Sequence, residues 1–177
     1  MDAKKTIKKF INPGWIGTVI CLVIPGFQVI GIVLLLVLLL PNMTRANKSI
    51  AKLEQAGLLE KAAAELNSPS AKKFMNGSVI CSDNFLFCKK TGYVFTYNEI
   101  VWAYKHRFTQ RVLLIPVSVT DSIYLATATT KAKQVAAMKK DKQDQIPNLI
   151  REIYAHNPAC LIGYSKENQQ QYKVLTK

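Results

Sequence analysis

"SVICSDNFLFCKKTGYVFTYNEIVWAYKHRFTQRVLLIPVSVTDSIYLATAT", Ser78–Thr129, decides the fold. Short runs rich in β-branched and aromatic residues are separated by Asp-Asn, Thr-Gly, Asn-Glu, Thr-Gln and Asp-Ser. That punctuation predicts an antiparallel meander. A two-residue loop at Asp83-Asn84 sets one register: Ser82 opposes Phe85, Cys81 opposes Leu86 and Val79 opposes Cys88. Alternation of Leu113, Ile115, Val117 and Val119 predicts a strand with one buried face, and Pro116 in it predicts an edge or a bulge. Tyr93, Phe95 and Tyr97 form one alternating face, and Trp102 and Tyr104 another. This pattern fits a small barrel core better than a base-stacking platform.

Beyond the meander, KAKQVAAMK (131–139) reads as a further edge strand or the start of a helix. DKQDQIPNLIREIYAHNP (141–158) is an amphipathic helix with Ile146, Leu149, Ile150 and Ile153 as its apolar stripe; Asp141 or Asp144 caps it and Pro158 stops it. LIGYS (161–165) is extended, and Ser165 caps a last polar helix. Six or seven strands followed by one closing helix is the order of a pleckstrin-homology-like (PH-like) fold. A looser α+β sheet with helices on one face is the alternative.

Upstream, NMTRANKSIAKLEQAGLLEKAAAELNS (42–68) predicts a helical stalk, interrupted at Gly57. Before it, Trp15–Leu40 holds 26 residues without a formal charge, and Pro25-Gly26 sits inside the run. A helix of that length reaches about 39 Å, against roughly 30 Å of bilayer core. The arms on either side of Pro25-Gly26 reach only about 15 and 21 Å. One kinked transmembrane helix is therefore expected, and a re-entrant hairpin is the competing reading, since it would bury a turn in hydrocarbon. A cleaved signal is disfavoured by the length and by the missing small-x-small site. Lys4, Lys5, Lys8 and Lys9 flank one end, with Phe10 and Trp15 as interfacial anchors; Arg45, Lys48 and Lys52 flank the other. Four cations against three do not set an orientation, whereas a hairpin would keep both flanks on one side. The expected divisions are a basic N-terminus (1–14), a membrane segment (15–41), a stalk (42–67) and a PH-like domain with C-terminal helices (68–177).

Charge is uneven. Of 24 Lys and Arg against 11 Asp and Glu, 20 and 10 follow residue 42. A surface that basic favours polyanions. Lys89, Lys90, Lys105, Arg107, Arg111, Lys139, Lys140 and Lys142 cluster at turns and strand ends, and are the candidate contacts for anionic headgroups. Four cysteines (21, 81, 88 and 160), only two histidines and no CxxC argue against a zinc site and for a reducing compartment. No nucleophile-elbow, P-loop, zincin or dinucleotide pattern occurs, and His106 and His156 stand isolated. The chain reads as non-enzymatic and needs no cofactor.

Three segments resemble a family of small bacterial membrane-anchored proteins of unknown function: KLEQAGLLEKAAAELNS (52–68), YNEIVWAYK (97–105) and NPACLIGYS (157–165). The resemblance covers about residues 50–172 and implies a PH-like domain paired with a membrane segment, with no catalytic residues. The resulting expectation is a single-pass cell-membrane protein with its C-terminal domain in the cytoplasm. It would serve as a scaffold or binding module whose partners are the bilayer and either anionic headgroups or a protein. A membrane-tethered nucleic-acid-binding module is the alternative.

Overall fold

The computed structural model describes residues 2–10 and 40–176, together with Val23, Val29, Ile32 and Val33. The expected membrane segment, with Trp15 and Cys21, thus lies almost wholly outside the described residues. Among the described residues no helix is long and apolar enough to cross a membrane.

Sheet A is built from β1 (Lys72–Phe74), β2 (Val79–Cys81), β3 (Phe85–Cys88) and β4 (Tyr93–Thr96), all antiparallel and in chain order. The β2–β3 register is the one the Asp83-Asn84 loop dictates: Val79 faces Cys88 and Cys81 faces Leu86. The strand FLFC is buried at every position, so both faces of the sheet are covered. Val79, Cys81, Leu86, Cys88 and Phe95 point into the central core. Ile80, Phe85, Phe87 and Val94 point the other way and need a second cover.

That cover is helical. α1 (Ala3–Phe10), α2 (Leu40–Gln55) and α3 (Leu59–Leu66) lay Ile7, Ile50, Leu53, Ala62 and Leu66 on this face. The helices expected as a stalk are therefore part of the domain, because the apolar outer face of sheet A would otherwise meet water. Gly57, at φ +67°, separates α2 from α3. The N–H groups of Leu58 and Gly57 bond to the carbonyls of Leu53 and Glu54, the two bonds of a Schellman stop. Glu65 of α3 accepts from Ser82 Oγ and from the Asn84 backbone and side chain, tying the helix to the β2–β3 turn.

Sheet B comprises β5 (Ile100–Val112), β6 (Ile115–Thr127), β7 (Lys133–Lys139) and β8 (Leu161–Ile162) in the order β7-β6-β5-β8, with β8 parallel to β5. α4 (Gln145–His156) inserts Ile146, Leu149, Ile150 and Ile153 into the core between the sheets. Its cap is Asp141, which accepts from the N–H groups of Gln145 and Ile146; Asp144 instead takes φ +51° and makes no side-chain cap bond. α5 (Lys166–Leu175) starts at Ser165, whose hydroxyl accepts from Asn168 N–H, and buries no residue fully. The architecture is α+β, with two separate four-stranded sheets, five helices and no closed barrel among the described residues.

The β5–β6 hairpin departs from expectation. Thr109-Gln110 lies within β5, not at a turn, and the chain reverses at Leu113-Leu114. These residues sit at φ +49° and +69° and are 90% and 87% exposed. Ile115 and Val117 are exposed too, so the alternating apolar residues do not mark a buried face. The reason is reach: β7 joins β6 only from Thr120 onward, and β8 joins β5 only at Trp102 and Ala103. The end of the hairpin is thus a two-stranded ribbon, with no layer above it among the described residues. A register shift at Gln110/Arg111, opposite Pro116, is the bulge the proline predicts. Two leucines at φ > 0 oppose the Asn-Gly preference of a type I′ turn, each costing roughly 1–2 kcal/mol. Replacing Leu113→Asn with Leu114→Gly should raise the thermal midpoint by several degrees, at about 2–4 °C per kcal/mol in a chain of this size. An unchanged or lowered midpoint would show that the leucines are held by contacts within the fold.

Candidate membrane-facing surface

α1 and α2 run in opposite directions along the outer face of sheet A. Near the start of α1, Lys4 pairs with Glu54 at the end of α2 at 3.0 Å. At the close of α1, the Phe10 ring lies edge-on to Phe87 at 6.3 Å, and Lys89 Nζ sits 5.8 Å from its centroid. α2 begins beside the same strands: Arg45 lies over the Tyr93 ring at 5.8 Å, and Ser49 Oγ donates to Gly92 O and accepts from Val94 N–H. Farther along, Lys52 pairs with Glu99. The end of α1 and the start of α2 therefore share one end of sheet A, where the β1–β2 and β3–β4 turns also lie. The chain on both sides of the apolar run meets the domain there.

This end is basic. Lys8, Lys9, Lys48, Lys89 and Lys90 are exposed on it. Lys9, Lys73 and Lys89, from three elements, line a cleft of about 660 Å³ beside α1, with Phe10, Leu66 and Ile80 as its apolar lining. Among the described residues no carboxylate lines it. Strand alternation separates neighbours here: Lys72 reaches Glu152 of α4 at 2.8 Å, while Lys73 faces the cleft.

The candidate cations fall into two groups. Lys89 and Lys90 sit on the β3–β4 turn, at the end just described. The others belong to sheet B and the segment after β7. Two of these meet carboxylates within the fold: Arg107 makes a bidentate contact to the fully buried Asp121 at 2.7 and 2.9 Å, and Lys105 lies 3.3 Å from Asp141 and 3.8 Å from Asp121. Arg111, Lys139, Lys140 and Lys142 are exposed, and Lys140 N–H bonds to Val119 O. Of the N-terminal lysines, Lys5, Lys8 and Lys9 are exposed, and Lys4 is the one paired with Glu54.

The Asp121–Asp141 pair holds sheet B to α4; the sequence offers Asp141 as a cap, but for Asp121 its only signal is a lone Asp opposite an Arg across a hairpin. The Arg107 hydrogen bonds hold the Asp121 carboxyl down at about 2 against the cost of burial, and Asp141 N–H and Lys105 add to the effect. For Asp141, burial works in the opposite direction, but the N–H groups of Ile146 and Gln145 keep it below the usual carboxylate range.

Other chemistry is quiet. His106 is exposed, with its ring edge-on to Tyr124. His156 stacks on Tyr97 at 4.2 Å, and its Nδ1 lies 2.9 Å from Glu152 O. The two histidines share no partner. Burial pushes the Cys81 and Cys160 thiols up to about 12 and Cys88 well above its ordinary value. Among the described residues no His, Cys, Asp or Glu cluster could hold a metal. Trp102 and Tyr104 are buried under Tyr164 and Tyr172, forming an aromatic layer behind sheet B rather than a free stacking face.

The depressed Asp121 carboxyl makes a pH prediction. Its folded pKa lies below the unfolded value, so its stabilisation is complete above about pH 4 and disappears as pH falls through about 2. Denaturant midpoints between those limits should fall for the parent chain, with Asp121→Asn less stable at neutral pH and flatter in this window. Equal slopes for both would refute the assignment.

A family described as a domain of unknown function (DUF6709) matches residues 46–172. No curated protein and no solved structure matches the chain. The matched span starts within α2 and takes in both sheets and most of α5, and the chain belongs to that family.

Proposed function

We propose that this protein is a membrane-anchored, non-catalytic binding or scaffold module, whose two sheets and closing α4 form a PH-like domain held against the bilayer surface. One observation carries the reading. The uncharged run Trp15–Leu40 is flanked by Phe10 and by the start of α2, and both flanks meet the domain at its basic end. Lysines at that end lie where an anionic leaflet attracts them, each by about 1 kcal/mol. The clustered cations favour anionic headgroups over a protein as the first partner.

The same observation bears on topology. A single span would carry α1 across the bilayer, away from the helices on which it buries Ile7 and Ala3. A re-entrant run leaves α1 in place and keeps both basic flanks on one side, where the positive-inside rule assigns the cytoplasm. This reading supports a cytoplasmic domain, with the run entering and leaving through the same face.

Because Cys81, Cys88 and Cys160 are buried, accessibility needs introduced thiols. In a Cys21→Ser background, Lys5→Cys on α1 and Asn148→Cys on α4 occupy exposed positions. Both should resist an impermeant maleimide in intact cells and label after permeabilisation. Labelling of Lys5→Cys alone in intact cells would establish a single span and overturn the re-entrant topology. Labelling of both would place the domain outside.

A further inference from the structure

The cleft beside α1 has features that the membrane-surface reading does not use. Lys9 comes from the last turn of α1, Lys73 from β1 and Lys89 from the β3–β4 turn. Among the described residues none of the three pairs with a carboxylate, in contrast to Lys4, Lys52, Lys72 and Lys105. Lys89 lies over the Phe10 ring, and no carboxylate among the described residues neutralises the three charges. Asn76, on the β1–β2 turn at φ +56°, adds an exposed amide at the rim. Thr6, Asn67 and Gly77 complete the polar part of the lining; its apolar part is the half-buried Phe10, with Leu66 and Ile80 almost fully buried. A free inorganic anion would use only the polar groups. A ligand with a phosphate head and a hydrocarbon portion would use both surfaces.

We infer that this cleft binds the phosphate of an anionic glycerophospholipid headgroup: Lys9, Lys73 and Lys89 grip the phosphate, and the half-buried Phe10 ring meets the first part of an acyl chain. The inference rests on the membrane-surface reading and gives it a ligand class. Lysines suit this task as mobile point charges with rotatable donors, which favour the more negative phosphomonoester over a zwitterionic phosphodiester whose choline cation they repel. Phe10, at the end of α1, lines the cleft.

The test uses the full chain in neutral detergent, titrated by calorimetry with dihexanoyl phosphatidic acid, dihexanoyl phosphatidylcholine and inorganic phosphate. Saturable binding of the phosphatidic acid is expected, at least tenfold tighter than either of the others. The triple variant Lys9→Gln/Lys73→Gln/Lys89→Gln should lose at least tenfold in affinity. A control with the same charge loss elsewhere, Lys131→Gln/Lys166→Gln/Lys173→Gln, should stay within twofold. All six lysines are exposed, so near-UV circular dichroism should match the parent in both variants; if the triple variant unfolds, Lys73→Gln alone serves, with at least a threefold loss expected. Equal losses in the two triple variants would reduce the effect to net charge, and phosphate binding as tightly as the lipid would make the cleft a free-anion site; either result overturns the proposal, as does the absence of saturable binding. Flotation of the full chain on neutral phosphatidylcholine vesicles tests the membrane reading separately. Flotation without titratable binding sinks the cleft alone, and failure to float sinks the reading beneath it.

Discussion

Burial on both faces of sheet A is the constraint from which the architecture follows. A strand such as FLFC cannot sit at the surface of a two-layer domain, because either face left open would expose Phe85 and Phe87 or Leu86 and Cys88. Burying a phenylalanine side chain is worth about 1.5–3 kcal/mol relative to exposure, so the sheet demands layers on both sides. Sheet B and α4 supply one. α1, α2 and α3 supply the other, and in doing so they fix where the chain before residue 11 and after residue 39 meets the domain. The placement of both flanks at one end is thus a consequence of core packing.

The charge distribution follows a different logic. Buried Asp121 and Asp141 need partners, since an isolated buried carboxylate is costly. Arg107, Lys105 and the N–H groups at the start of α4 provide them. Those cations serve the fold, and lysines without such partners are left to serve the surface. Apparent net charge therefore overstates the charge available to a ligand, and the distinction depends on strand register.

Much of the fold was legible because local chemistry and tertiary context agree. Gly57 stops α2 in the left-handed conformation its sequence position suggests, Asp83-Asn84 sets the β2–β3 register, and the α4 stripe is buried residue for residue. The helical cover of sheet A was not read, although FLFC carried a signal: an uninterrupted apolar strand marks burial on both faces, not alternation. The Leu113-Leu114 turn was illegible because both residues contradict the turn chemistry they adopt. The lysine cleft joins residues 9, 73 and 89, which no local pattern connects. From sequence Arg107 reads as a surface cation, because its cross-strand neighbour Asp121 is identified only once the hairpin turn is placed.

The central claim is that α1 stays docked on α3 while the apolar run occupies a bilayer. Spin labels at Lys5→Cys on α1 and Lys61→Cys on α3, both exposed positions, report it directly in nanodiscs by double electron–electron resonance, again in a Cys21→Ser background. Packed neighbouring helices lie about 8–10 Å apart between axes. The account predicts one narrow distance distribution centred below roughly 25 Å once label arms are added to that spacing. A distribution at or beyond about 40 Å, the thickness of a bilayer with its headgroups, would place α1 on the opposite side and contradict it.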